Sequence, residues 1–148
     1  MLKVRCQANA TLDAKGRIAL PAPLKRAVAD ADVTHLVLTF HKGSVWGMTR
    51  ADFEQRVERR LEEQDPFAEE VLDWAHALLA TAQDVRVDGN GRLLIPPMLR
   101  ELAQLDRDIV VSSLLNRIEI WDKESWETRF KTALERTSKA RGMPRKDA

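Results

Sequence analysis

The chain has little cysteine, little histidine and no long apolar run, and each shortage removes a class of protein. Cys6 stands alone among 148 residues, so no disulfide can form within the chain, as suits a reducing compartment. Its expected role is that of a small, half-buried residue. No apolar stretch approaches the roughly 20 residues that a membrane-crossing helix needs. The opening Met-Leu-Lys-Val-Arg-Cys leads into neither an apolar segment nor a small-residue cleavage site, so no signal peptide is expected. His35, His41 and His76 make no H-x-x-x-H pair, and one cysteine rules out C-x-x-C, which leaves no metal-ligand spacing. Ser112-Ser113 lacks the G-x-S-x-G frame, and the glycines near 89–91 form neither type of phosphate loop. Without a nucleophile, an acid–base pair or a metal set, the expectation is a protein that is not an enzyme and holds no cofactor.

Charge is scarce in net terms and plentiful in its distribution. The formal net charge is +1, with charged residues at 32% and apolar residues at 44%, a balance that fits a globular domain with a buried core. Residues 1–26 carry Lys3, Arg5, Lys15, Arg17, Lys25 and Arg26 against Asp13 alone. The tail from Arg136 to Ala148 adds Arg136, Lys139, Arg141, Arg145 and Lys146 against Asp147. Acids crowd the middle, from Asp52 through Glu54, Glu58, Glu62, Glu63, Asp65, Glu69 and Glu70 to Asp73. Such segregation allows a basic face on a near-neutral molecule, although solvated charged faces are common.

An internal repeat organises the chain. Asp13-Ala-Lys-Gly-Arg-Ile-Ala-Leu-Pro-Ala-Pro-Leu-Lys is matched by Asp88-Gly-Asn-Gly-Arg-Leu-Leu-Ile-Pro-Pro-Met-Leu-Arg, with Asp, Gly, Arg, Pro and a later Leu recurring 75 residues apart. Downstream the register slips by two residues, so that Val45-Trp-Gly-Met-Thr-Arg-Ala-Asp-Phe-Glu faces Ile118-Glu-Ile-Trp-Asp-Lys-Glu-Ser-Trp-Glu. Chance supplies a D-x-x-G-R pair readily, but not the ordered proline, leucine and aromatic positions with it.

Each copy reads as a turn, a short strand, a short helix, a hairpin and a closing helix. Asp-x-x-Gly is a turn signal in which Gly16 and Gly91 take φ > 0. Ile18/Leu20 and Leu93/Ile95 alternate as half-buried strands, and Pro21 and Pro96 end them and open helices. Leu24 with Val28, and Leu99 with Leu102, are expected to face those helices inward. Val33–Phe40, Val45–Met48, Ile109–Ser113 and Ile118–Trp121 are β-rich, with hairpin turns expected at Gly43-Ser44 and Asn116-Arg117. Thr49 and Asp122 are the expected helix N-caps. In the first closing helix Phe53, Val57 and Leu61 recur at i, i+4 and i+8. A second helix is expected from Asp65-Pro66, with Phe67, Val71, Trp74/Ala75, Leu78 and Ala82 on its apolar face. The terminal helix carries Trp126, Phe130 and Leu134, and a frayed tail is expected from about Arg141 on. The four tryptophans, Trp46, Trp74, Trp121 and Trp126, are assigned to core packing.

The Asp13…Arg17 and Asp88…Arg92 pairs are the sharpest chemical feature. One reading is structural: Asp caps the turn and Arg covers it. The other is functional: a tight turn presents Lys15 and Arg17 to phosphates, and arginine bonds a guanine edge bidentately. The first copy, with Lys15 beside Arg17, is the expected contact surface; the second has Asn90 in place of the lysine, and its Arg92 is expected to be scaffold or auxiliary contact. Lys3 and Arg5 are expected to extend the surface.

The doubled D-x-x-G-R-[apolar]-x-[apolar]-P, in Leu12–Pro21 and Val87–Pro96, together with Ile118-Glu-Ile-Trp-Asp, resembles the MraZ family over about Asn9 to Trp126. The resemblance implies the AbrB/SpoVT-like fold: α+β, with tandem swapped-hairpin repeats forming a pseudo-symmetric double-split β-barrel and helices between and after the repeats. It implies a first repeat over 1–54, a helical hairpin over 55–84, a second repeat over 85–128, and a C-terminal helix and basic tail over 129–148, in one compact unit. It also implies a cytoplasmic, nucleoid-associated transcriptional regulator. Such a regulator binds double-stranded DNA at direct repeats in the promoter of its own division and cell-wall gene cluster, and assembles into octamer or dodecamer rings. The implied DNA-contacting residues are Lys15 and Arg17. The chain departs from the family pattern in its opening residues, which lack an aromatic and a glycine before the first motif, and at Ser112-Ser113, where a glycine often stands. The alternatives are an AbrB-like antitoxin with a toxin partner and a non-DNA assembly module built on the helical hairpin. The duplication argues against the antitoxin, since single-copy antitoxins dimerise to obtain the second motif.

Overall fold

A computed structural model describes residues 2–145. Lys146, Asp147 and Ala148 of the basic tail lie outside the described residues, as does Met1. The chain runs β1 (Cys6–Thr11), β2 (Arg17–Ala19), α1 (Ala22–Asp30), β3 (His35–His41), β4 (Ser44–Met48), α2 (Arg50–Phe53), a π-helical turn (Glu54–Glu58), α3 (Arg59–Glu62) and α4 (Glu69–Leu79). The second half follows as β5 (Gln83–Arg86), β6 (Arg92–Leu94), α5 (Pro97–Leu102), β7 (Asp108–Leu114), β8 (Arg117–Asp122) and α6 (Lys123–Lys139). The class is α+β.

The two copies interleave. Six antiparallel strands form one sheet in the order β1-β7-β8-β4-β3-β5, and β2 pairs with β6 as a separate ribbon. Exchanging β1 with β5, β3 with β7 and β4 with β8 reverses this order and leaves it unchanged. β1 pairs with β7, β5 with β3, β2 with β6 and β4 with β8. Only the hairpins β3–β4 and β7–β8 pair within a copy. The sheet ends at β1 and β5 and the ribbon is not continuous with it, so the described strands do not close into one hydrogen-bonded barrel.

Period-two alternation explains how one core serves both copies. Leu36, Leu38 and Val45 from the first hairpin meet Ile109, Val111, Ile118 and Ile120 from the second on the inner face. The ribbon lays Ile18 and Leu93 onto the same core, and Leu24, Val28 and Leu99 enter it from α1 and α5. The register slip has a local cause: α1 has nine residues and α5 six, while the loop after Gln104 is one residue longer than that after Asp32. A smaller cluster of Val37, Met48, Phe53 and Val57 packs the helical hairpin on the outer face. Thr39, buried in that face, donates its hydroxyl to Leu78 O at 2.7 Å and pins α4.

Several expectations are corrected. The hairpin turns fall one residue earlier, at Lys42-Gly43 and Leu115-Asn116, because Lys42 and Leu115 themselves take φ of 46° and 53°. Asp65 Oδ1 accepts from Phe67 N at 3.0 Å, but Ala68 then turns extended (ψ 126°), so α4 starts only at Glu69. Phe67 is thereby left outside the helix at 89% exposure rather than on its apolar face. Leu102, at the end of a six-residue helix, points to solvent, as do Phe130 and Leu134 on α6 and much of Trp74. Of the four tryptophans only Trp121 is buried. The caps hold: Thr49 accepts from Asp52 N and Asp122 from Ser125 N. The terminal helix ends at Lys139, close to the expected boundary.

Leu24 and Leu99 are pseudo-equivalent and both fully buried. Leu24→Ala and Leu99→Ala should each lower the unfolding free energy by about 2–5 kcal/mol, as for buried leucines that leave a cavity. Urea denaturation checks this; a loss confined to one of the two would contradict a shared core.

Candidate nucleic-acid interface

The two Asp-x-x-Gly turns are built alike. In the first, Asp13 Oδ1 accepts from Lys15 N and Arg17 N, both at 2.9 Å, and Gly16 N donates to Asp13 O at 3.0 Å. In the second, Asp88 Oδ1 accepts from Asn90 N at 2.8 Å and Arg92 N at 2.9 Å, and Gly91 N donates to Asp88 O at 3.0 Å. These backbone donors, above all the arginine N–H, hold both carboxyls below the usual aspartate range, against a smaller opposing effect of burial. Both aspartates thus brace the backbone of their turns.

Each turn is completed by the other copy. Leu20 N donates to Gly91 O at 2.8 Å, and Ile95 N donates to Gly16 O at 2.9 Å. Gly16 and Gly91 have φ of 85° and 71°, where side chains are strained. A Cβ would also crowd the side chain above: one on Gly16 would lie 2.5 Å from the Arg100 guanidinium carbon, and one on Gly91 2.7 Å from Lys25 Cγ, so those side chains would have to shift. Lys25 and Arg100 occupy the same place in the two copies, so each copy's basic residue covers the other copy's glycine. Neither was singled out from the sequence, though their recurrence after Leu24 and Leu99 is the signal that marks them.

The arginines converge. In the β2–β6 ribbon Arg17 faces Leu94 and Ala19 faces Arg92. Ile18 and Leu93 point into the core, so Arg17, Ala19, Arg92 and Leu94 share the outward face. Arg17 and Arg92 are thus diagonal neighbours, about 7–8 Å apart at their backbones. Arg17 Nε donates to Asp13 Oδ2 at 3.0 Å, which steers its terminal nitrogens; among the described residues these bond nothing. Arg92 makes no side-chain bond among the described residues. Lys15 stands exposed on the adjoining turn. Arg5 does not join them: β1 separates it from Asp13 by on the order of 20 Å of extended chain, and it lines a groove on the outer sheet face instead. Lys3 is exposed two residues before Arg5. Among the described residues no three His, Cys, Asp or Glu side chains are placed to hold a metal ion.

Because the folded-state pKa values of Asp13 and Asp88 are lowered, the turns are fully braced at neutral pH and lose their brace as pH falls through those lowered values. The amide resonances of Lys15, Arg17, Asn90 and Arg92 should shift together on acidification, with midpoints below the ordinary aspartate range. Midpoints at the ordinary value would contradict the bracing.

The chain is similar in sequence to known proteins. The family profile described as "MraZ protein, putative antitoxin-like" matches residues 78–145, which include the second turn, β6, the second hairpin and α6. The chain is 32% identical over 142 residues to the transcriptional regulator MraZ of Pseudomonas aeruginosa, covering 93% of this chain and 92% of that protein. It is 34% identical over 137 residues to the transcriptional regulator MraZ of Legionella pneumophila, covering 90% of each. The protein of the same name from Pseudomonas savastanoi pv. phaseolicola is 31% identical over 147 residues. With a duplicated, interleaved motif and near full-length similarity to these regulators, the chain belongs to the MraZ family of transcriptional regulators.

Proposed function

We propose that the chain is a sequence-specific DNA-binding regulator that reads direct repeats in the promoter of its own division and cell-wall gene cluster, in the cytoplasm at the nucleoid. The observation that carries this reading is the β2–β6 ribbon, which sets Arg17 and Arg92 side by side on one outward face next to Lys15. A two-stranded ribbon fits a major groove about 12 Å wide. Arg17, steered by Asp13, is suited to a bidentate bond to guanine; Lys15, a mobile point charge, is suited to phosphate. The relatives named as transcriptional regulators support the same function.

The exchange of strands between copies favours reading the fold as two swapped-hairpin repeats, 1–54 and 85–128, in a pseudo-symmetric double-split barrel. On that reading 55–84 is the helical connector and 129–148 the closing helix and tail. One ribbon with three cations binds weakly by itself. An octamer or dodecamer ring that holds several ribbons at the spacing of the operator repeats raises their effective concentration and hence the affinity.

A mobility-shift titration with the DNA upstream of the chain's own gene, at several salt concentrations, tests the site. Arg17→Ala should abolish the shift while light scattering shows an unchanged assembly, and Lys15→Ala should keep the sequence preference but flatten the salt slope by about one. Unchanged operator affinity in Arg17→Ala would refute the assignment.

A further inference from the structure

The outer face of the sheet carries a groove of about 900 Å³ under α6. Trp121, Trp126 and Phe130 give it an aromatic lining, and Arg5, Lys42 and Arg129 line it with positive charge. Trp126 and Phe130 stack at 4.8 Å, and half of the Phe130 surface faces solvent. Arg5, Lys42 and Arg129 form no ion pair among the described residues. The groove is therefore aromatic with three unpaired cations, and the carboxylate in its lining, Glu119, is taken up by Arg117 at 3.0 Å and by the Trp121 indole N–H at 2.9 Å.

Its complement lies at the corner between α3 and α4. Phe67 protrudes there at 89% exposure, its backbone fixed by the bond from its N–H to Asp65 Oδ1 at 3.0 Å. Glu62, Glu63, Asp65, Glu69, Glu70 and Asp73 surround it in sequence, with no Lys or Arg from 61 to 74. None of these acids is ion-paired among the described residues. Phe67 lines neither this groove nor the adjoining one floored by Trp46 in its own chain. A protruding aromatic in an acidic collar and an aromatic groove among cations are complementary in shape class and in charge, and large exposed aromatics of this kind mark contact surfaces.

We propose that the α3–α4 corner of one copy, with Phe67 as its anchor, docks into the groove beneath α6 of the next copy. The contact is head-to-tail: each chain offers one corner and one groove, so every copy binds two others, and repetition closes into a ring or grows as a filament. The corner lies in the connector after copy one, and the groove is roofed by α6 over outer-face residues of the sheet that both copies supply. The inference rests on the reading that the chain assembles, and adds which surfaces do it.

Light scattering on two full-length variants tests it. Phe67→Asp disables the corner and Phe130→Asp disables the groove; circular dichroism confirms that both keep the wild-type fold. Each variant alone should fall to the mass of one chain. An equal mixture should form a one-to-one pair and nothing larger, since one intact corner meets one intact groove. Folded variants that keep the wild-type assembly, or a mixture that stays monomeric, would overturn this interface while leaving assembly itself standing. A monomeric wild type would overturn the assembly reading and the interface with it.

Discussion

Leu20 N to Gly91 O and Ile95 N to Gly16 O are two hydrogen bonds that cross between copies and fix where everything else goes. Each is worth only about 0.5–1.5 kcal/mol net, but Leu20 and Ile95 are buried, and an unmade bond there costs more than a made one gains. Making both requires each turn's glycine to present its carbonyl to the other copy. That brings β2 against β6, drops Ile18 and Leu93 into the common core and turns Arg17 and Arg92 outward. The outward face that carries the two arginines is therefore a consequence of closing the fold.

A symmetric frame carries unequal chemistry. Arg17 is held by Asp13 through its Nε, while Arg92 bonds nothing with its side chain among the described residues. Lys15 stands where the second turn has Asn90. The additions to the frame are unequal as well: an acidic helical connector follows the first hairpin, and a helix with an excess of basic residues follows the second. Symmetry thus supplies one continuous ribbon face, and departure from symmetry gives the molecule two different ends.

The turns, strands and caps were legible in the sequence because their causes are local. Asp13 and Asp88 bond amides two and four residues away, Pro21 and Pro96 stop strands, and Thr49 and Asp122 bond amides three residues on. The hairpin turns were misplaced by one residue because Lys42 and Leu115 adopt left-handed backbone that a glycine-based rule does not expect. The pairing partners were hidden for a different reason: alternation tells which face of a strand is buried, not which strand lies beside it. The meeting of Arg17 with Arg92, and the covering of Gly16 by Arg100, are long-range facts of that kind. Helical periodicity likewise marks Phe130 and Leu134 as one stripe without saying what covers it. The Asp-Pro signal at 65–66 marks a helix start, but the chain turns extended at Ala68, so Phe67 stays outside the helix and the core. Arg5 is near the cationic turn in sequence only, because the extended strand Cys6–Thr11 carries the chain away from it.

On the proposed function, the two copies present a single ribbon to DNA. Hydrogen exchange of the full chain, with and without its own upstream DNA, addresses it most directly. The account predicts that DNA slows exchange in both turns together, across residues 14–19 and 89–94. Protection confined to one turn, or appearing instead in α4 or α6 with the turns unaffected, would contradict it.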